Sequence, residues 1–173
     1  MISFIKKCYY SFFSRRFARC GKNVRWGRNC SFAGYSNISI GNNVSIGRNS
    51  IIWTTNAKVC IENNVLLGPN VSIHTGNHDI HRVGKHIIDI PINDGNPQNY
   101  GDVIIEEGVW CGDGVKILKG VRIGRGSVIG AGSIVTKGTE PYGIYAGCPI
   151  KKIGTRFSQL EIEEHERLLS QES

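Results

Sequence analysis

Four of the five histidines in this sequence, His74, His78, His81 and His86, fall within thirteen consecutive residues. An imidazole titrates near neutrality, so such a cluster suits two chemistries: removing a proton from a weakly acidic hydroxyl or amine as it attacks, or holding a metal ion. The stretch from His74 to Asp102 also carries two prolines and the turn cluster Asn93-Asp94-Gly95. It reads as a long loop, and a loop of that length inside a compact domain is usually functional. The six cysteines, Cys8, Cys20, Cys30, Cys60, Cys111 and Cys148, form no Cys-x-x-Cys pair and no zinc spacing. They read as reduced, mostly buried thiols of a cytoplasmic protein.

The elements that must position this loop come from an internal repeat. A six-residue phrase runs through the chain: an apolar residue, often Gly or an acid, two polar or Gly positions, a small or β-branched residue, and one more. Its copies begin at Ile40, Ile46, Ile61 and Leu67 and, after the loop, at Ile105, Cys111, Ile117, Ile123 and Ile129, with weaker ones at Cys20 and Trp26. A period of six matches neither the 3.6 of a helix nor the alternation of a two-sided strand. It matches a short strand followed by a turn, with the first and fifth side chains inward and Gly or Asn where the backbone needs unusual angles. Three units make a triangular coil, and stacked coils bury one aliphatic column that no single coil could bury. Residues 53–60 keep the phase only loosely, so a slightly enlarged corner is expected there.

Charge is uneven along the chain. Residues 1–61 hold ten Lys or Arg and no acid, while the remainder has eleven bases and fourteen acids, a balance of −3. The front end interleaves Phe4, Tyr9, Tyr10, Phe12, Phe13 and Phe17 with Lys6, Lys7, Arg15, Arg16 and Arg19. That pattern fits a helix packing its aromatic side on the protein, or contact with an anionic membrane surface; nucleic acid is the least favoured partner. No apolar run approaches the roughly 20 residues of a membrane span, and no signal-peptide cleavage site follows. At the other end Ser158-Gln-Leu-Glu161 is a capping box opening a short helix, with Leu160, Ile162, His165, Leu168 and Leu169 giving it an apolar stripe. Pro141 and Pro149 mark where the repeat stops and the chain turns away.

Four segments carry a family resemblance: Leu67-Gly-Pro-Asn-Val-Ser-Ile running on into Thr75-Gly-Asn-His78-Asp-Ile-His, Val109-Trp110-Cys-Gly112-Asp113, Ile129-Gly-Ala131-Gly-Ser-Ile-Val-Thr136-Lys137, and Ala146-Gly-Cys-Pro149-Ile-Lys151. On these the chain resembles the hexapeptide-repeat acyltransferases, and within them the sugar O-acetyltransferases related to maltose, galactoside and nodulation acetyltransferases. The resemblance implies an all-β fold, a left-handed parallel β-helix with short terminal helices and one long inserted loop. It divides the chain into a basic aromatic N-terminal helix over residues 1–19, the β-helix over 20–152 with its loop at 74–102, and a capping helix over 153–173. It further implies a homotrimer with active sites in the grooves between subunits, acetyl-CoA as donor, and no metal. His78 falls where the family places its general base, with Asn77 and Asp79 orienting it or touching the acceptor. For the cofactor the resemblance implies Trp110 beside the acetyl and pantetheine channel, followed by Gly112 and Asp113, the last where relatives carry serine. Gly130 and Ala131 match the stretch along the pantetheine arm, and Thr136, Lys137 and Lys151 match positions near the adenosine and its phosphates.

The function implied is acetyl transfer to a sugar hydroxyl, in surface polysaccharide biosynthesis, by an enzyme in the cytoplasm that touches the inner face of the membrane. An amino group of a nucleotide-linked amino sugar and a xenobiotic are the alternative acceptors. Two remoter readings share the fold. A γ-class carbonic anhydrase needs three histidines from different coils, and no histidine precedes His74. A non-enzymatic scaffold would have no use for the Ala131 to Lys151 stretch.

Overall fold

The computed structural model describes residues 14–171. Most of the N-terminal helix expected over 1–19, including Cys8 and every aromatic named there except Phe17, lies outside the described residues. The repeat folds as expected into a left-handed parallel β-helix, a three-sided prism of stacked coils. Its first face stacks the strands Arg19–Cys20, Ile38–Ile40, Val59–Ile61, Val103–Ile105 and Arg122–Ile123. The second stacks Arg25–Trp26, Ser45–Ile46, Leu66–Leu67, Trp110–Cys111, Val128–Ile129, Gly143–Ala146 and Lys151–Thr155. The third stacks Ser31–Ala33, Ile51–Trp53, Ser72–His74, Lys116–Ile117 and Ile134–Val135. Ile104 pairs with Arg122, an eighteen-residue coil. Ser39 pairs with Cys60, a coil of twenty-one, and the extra residues form the enlarged corner around Asn56 and Ala57.

The first-position side chains are the core. Ile40, Ile46, Ile61, Leu67, Ile105, Cys111, Ile117, Ile123 and Ile129 are each at most 1% exposed. Burying one such aliphatic side chain contributes about 1.5–3 kcal/mol, so the column outweighs any polar contact in the molecule. Fifth-position valines fill the corners, and where serine stands instead its hydroxyl is satisfied locally: Ser133 donates to the Gly130 carbonyl at 2.6 Å and Ser50 to that of Gly47 at 2.8 Å. Burial pushes the Cys111 thiol up to about 12. Cys20, Cys30 and Cys60 are only partly buried and Cys148 is exposed, so full burial holds for Cys111 alone among the described cysteines.

The turns divide by residue type along the stack. At one corner Asn23, Asn43 and Asn64 take positive φ in the lower coils, and Gly108 and Gly126 do so above them. The next corner repeats the pattern with Asn29, Asn49 and Asn70 below and Gly114 and Gly132 above. Asparagine tolerates this left-handed backbone and adds a ladder that glycine cannot: Asn43 donates to Asn64 at 2.8 Å, and Asn64 to Glu107 at 2.8 Å.

The two ends are closed differently. At the base Phe17 is buried against Trp26, Phe32 and Tyr35, and Arg16 lies over the Tyr35 ring at 4.1 Å. This aromatic plug seals the open bottom of the column. At the top the repeat stops but the second face does not: Gly143–Ala146 adds one more parallel rung, and Lys151–Thr155 returns antiparallel along it. The helix then starts at Gln159 under the expected capping box, Ser158 N–H to Glu161 at 2.7 Å. Its stripe packs only in part: Leu160 is 78% exposed, while His165 lies against Tyr142 and Phe157, and Glu166 beside it receives two bonds from Arg125 and one from Tyr142.

Replacing Asn64 by Ala puts a Cβ residue without a local hydrogen bond into the left-handed region and is expected to cost about 1–2 kcal/mol. Asn64→Gly is expected to lose less, because glycine meets no backbone penalty at φ 59°. Urea unfolding of the two variants checks the order.

Candidate active site

The third face sets out the first elements of the site. Trp53 and His74 are register partners on adjacent coils, ring centroids 5.9 Å apart at 82°, and the Trp53 indole N–H donates to Ser31 at 3.0 Å. Partial burial, and after it the Lys116 charge on the coil above, hold the His74 imidazole below its ordinary value, so it is predominantly neutral at pH 7. From Thr75 the chain leaves the corner between the third and first faces as the long loop and re-enters at Val103. The base of the loop is a short ladder. Gly76 bridges Tyr100, Asn77 N–H donates to the Asn99 carbonyl at 2.9 Å, and Gly101 N–H to that of Thr75 at 2.9 Å.

His78 follows this ladder immediately, with an exposed side chain, as is that of Asn77. Asp79 is different: its side chain is 6% exposed and turned into the loop, where it accepts from His81 N–H at 2.8 Å. That bond above all holds its carboxyl below the usual range. His81 and His86 are exposed on the outer loop, and His165 lies on the C-terminal helix against Tyr142 and Phe157. Among the described residues no group of three or more His, Cys, Asp or Glu stands together in a way that could hold a metal ion.

The residues matched to cofactor binding split between two edges of the third face. Trp110, half exposed, stands on the outer surface of the second face between Leu66 and Val128. Gly112, Asp113, Gly130 and Ala131 form the corner that follows it, and Lys151 pairs with Ala146 on the same face. Thr136 and Lys137 lie exposed at the far corner, the one from which the loop departs. One chain thus groups His78 with Thr136 and Lys137, and Trp110 with Asp113, Ala131 and Lys151, with the width of the third face between. The stack itself demands glycine at 112 and leaves little room for a side chain at 130. A Cβ on Gly112 would sit 2.8 Å from the Ala131 nitrogen, and one on Gly130 would sit 3.1 Å from the Ala146 Cβ. Asp113 is exposed, and its carboxylate reaches back over Gly68.

A cleft of about 660 Å³ lies elsewhere, between the coil and the C-terminal helix, among Glu107, Arg125, Tyr142, Arg156, His165 and Glu166. None of the residues matched to chemistry lines it. Its charges are already matched to one another, Arg125 to both Glu107 and Glu166, so it reads as the seam that fastens the helix. Inside the loop Arg82 and Asp94 join Asp79. The Asn93-Asp94-Gly95 turn is visible in the sequence, but nothing in the spacing pairs it with Arg82.

Residues 102–137 match the family model described as bacterial transferase hexapeptide (six repeats). The structure is similar to that of a maltose O-acetyltransferase from Clostridium difficile 630, with 31% identity, a TM-score of 0.69, and coverage of 83% of this chain and 72% of that one. It is also similar to a galactoside acetyltransferase in complex with coenzyme A, with 29% identity, a TM-score of 0.67, and coverage of 86% and 74%. A probable macrolide acetyltransferase from Lysinibacillus sphaericus is 51% identical over 63 residues, which span 36% of this chain and 35% of that protein.

The His74 environment has a direct check. Its NMR titration midpoint is expected below 6.5, and Lys116→Met is expected to raise it only part of the way, since burial is the larger cause. A midpoint at or above 6.5 contradicts the partial burial described here.

Proposed function

The chain belongs to the hexapeptide-repeat acetyltransferases, and on that premise we propose that it transfers the acetyl group of acetyl-CoA to a sugar hydroxyl, with His78 as general base. A thioester is already activated, so catalysis reduces to holding two substrates together and removing one proton. The His78 imidazole takes the proton of the acceptor hydroxyl as its oxygen attacks the thioester carbonyl. The carbon–sulfur bond then breaks, the proton passes to the departing sulfur, and an ester and free CoA leave. Lys137 and Lys151 would meet the phosphates of CoA as point charges, and Trp110 would stand along its arm.

The observation that carries this reading is the split of the matched residues across the third face. A single prism holds half of a site at each edge. In a homotrimer of parallel prisms the loop edge of one chain faces the Trp110 edge of the next, and the groove between them joins His78 to Trp110, Asp113, Ala131 and Lys151. Asn77, exposed beside His78, is then the nearer of its neighbours to an acceptor, while Asp79 acts within the loop.

A sugar acceptor is supported by the maltose and galactoside enzymes that the structure resembles. Surface polysaccharide is the acceptor class we favour, because the lowest coil presents Arg15, Arg19, Lys22, Arg25 and Arg28 to solvent and would lie well against an anionic inner membrane leaflet where lipid-linked sugars are built. No helix among the described residues is long and apolar enough to cross a membrane. A macrolide hydroxyl is the second reading, favoured by the 51% identity over 63 residues; both acceptors need the same base.

His78→Ala is expected to lower kcat by roughly 10²–10⁴-fold with CoA affinity unchanged, as for loss of a general base. Release of free CoA across a panel of oligosaccharides, amino sugars and macrolides, with calorimetric titration of CoA, tests both statements. Retained turnover in the variant refutes the assignment, and the acceptor that supports turnover settles the class. Light scattering reads the mass of the assembly.

A further inference from the structure

Asp79, Arg82 and Asp94 form one unit. Asp79 gives one carboxylate oxygen to His81 N–H at 2.8 Å and turns the other toward Arg82 Nε at 3.6 Å. Asp94 does the same on the returning limb of the loop: one oxygen accepts from Asn96 N–H at 3.0 Å, and the other faces the far nitrogen of the same guanidinium at 3.5 Å. Two turns, each closed by its own aspartate, therefore meet at a single arginine, and the Asp79 and Asp94 carboxyls also contact each other directly. The carboxylates are withdrawn from water, with side chains 6% and 4% exposed, while Arg82 remains 47% exposed.

This unit has a position as well as a geometry. His78 lies between two ties. Before it, the ladder at Gly76 and Asn77 fixes the chain to Tyr100 and Asn99. Directly after it comes Asp79. Beyond Asp79, residues 80–89 are all exposed, and on this outgoing limb the only side-chain bonds among the described residues are those of Asp79 and Arg82. Within one chain no packing replaces them there. If the unit opens, one of the two points that fix the backbone at His78 is lost while the ladder stays.

We propose that Asp79, Arg82 and Asp94 are a clasp that positions His78 for proton transfer. They are positioning residues and touch neither substrate. The inference rests on the reading of His78 as general base. Each contact is long and one partner is partly solvated, so each alone is weak; the clasp works because one forked guanidinium spans both carboxylates. Lysine, a single point charge, cannot span them equally.

The test uses the intact enzyme. Arg82→Ala and Asp94→Asn are each expected to lower kcat about tenfold, within the range known for displaced catalytic groups. The KM for acetyl-CoA should stay unchanged, and Arg82→Lys should recover part of the loss. In a His78→Ala background neither substitution should lower the residual rate further, because the clasp acts only through that imidazole. Independently of activity, hydrogen exchange at the His81 and Asn96 amides is expected to accelerate in Arg82→Ala while exchange in the coil strands stays as in the parent. Wild-type kcat in both variants, effects that persist without His78, or unchanged exchange at both amides overturns the clasp. If His78→Ala itself keeps full activity, the general-base reading fails, and the exchange result still decides whether the clasp exists.

Discussion

Everything in this molecule depends on the burial of one aliphatic column that no single coil could bury. A coil of three short strands has an inside only because the coil above and the coil below close it, so the inward residue of each rung must stand over its counterpart. The parallel register follows: Ile40 over Cys20, Ile61 over Ile40, Ile105 over Ile61, Ile123 over Ile105. A slip of one residue would replace these inward side chains with neighbours such as Ser39, Gly41, Glu62, Glu106 or Arg122. That constraint fixes the backbone of the corners, and the corners hold most of the residues matched to a cofactor.

The same constraint fills the column with buried aliphatic side chains. Side chains that could meet a ligand must point outward from flat faces or stand at corners. Gly112 and Gly130 show how tightly the corners are drawn, since the neighbouring coil already occupies the space a Cβ would need. The resemblance gives both as cofactor positions; within this chain the stack gives a sufficient reason for Gly112 and a tight fit at Gly130. The burial of the C-terminal seam, with Tyr142 at φ 57° above Gly126 and under Glu166, is a local solution to ending such a stack, one in which a bonded carboxylate and a missing Cβ offset an unfavourable backbone.

How much of this could be read from the residues depends on the range of the interaction involved. The rungs were legible because a six-residue phrase encodes both its strand and its turn, and the loop was legible as its longest interruption. The capping box was legible because Ser158 and Glu161 are three residues apart. The rung Gly143–Ala146 was not: two prolines bracket it, and the phrase is absent, yet Tyr145 still turns inward onto the open top of the column. The helix stripe misled for a related reason. Leu160 and Leu168 have the spacing of a packed face but stay exposed, and the helix is fastened one face over, by His165 on Tyr142 and Phe157 and by Glu166 on Arg125. The Arg82 to Asp94 pairing spans a loop with no period, so no local rule could find it.

The position of His78 joins these strands of argument. A rigid prism can fix a side chain on a strand to within the tolerance that proton transfer demands, and His74 on its strand beside Trp53 is fixed in that way. His78 is not on a strand. It lies four residues beyond one, in a segment that leaves the prism and can therefore reach past the edge of its own chain. Reach and rigidity oppose each other in such a segment, because every residue added beyond the ladder adds freedom that packing does not remove. If His78 is the general base as proposed, its loop must restore order by other means, and charged groups shared between its two limbs do so without adding bulk beside the exposed His78.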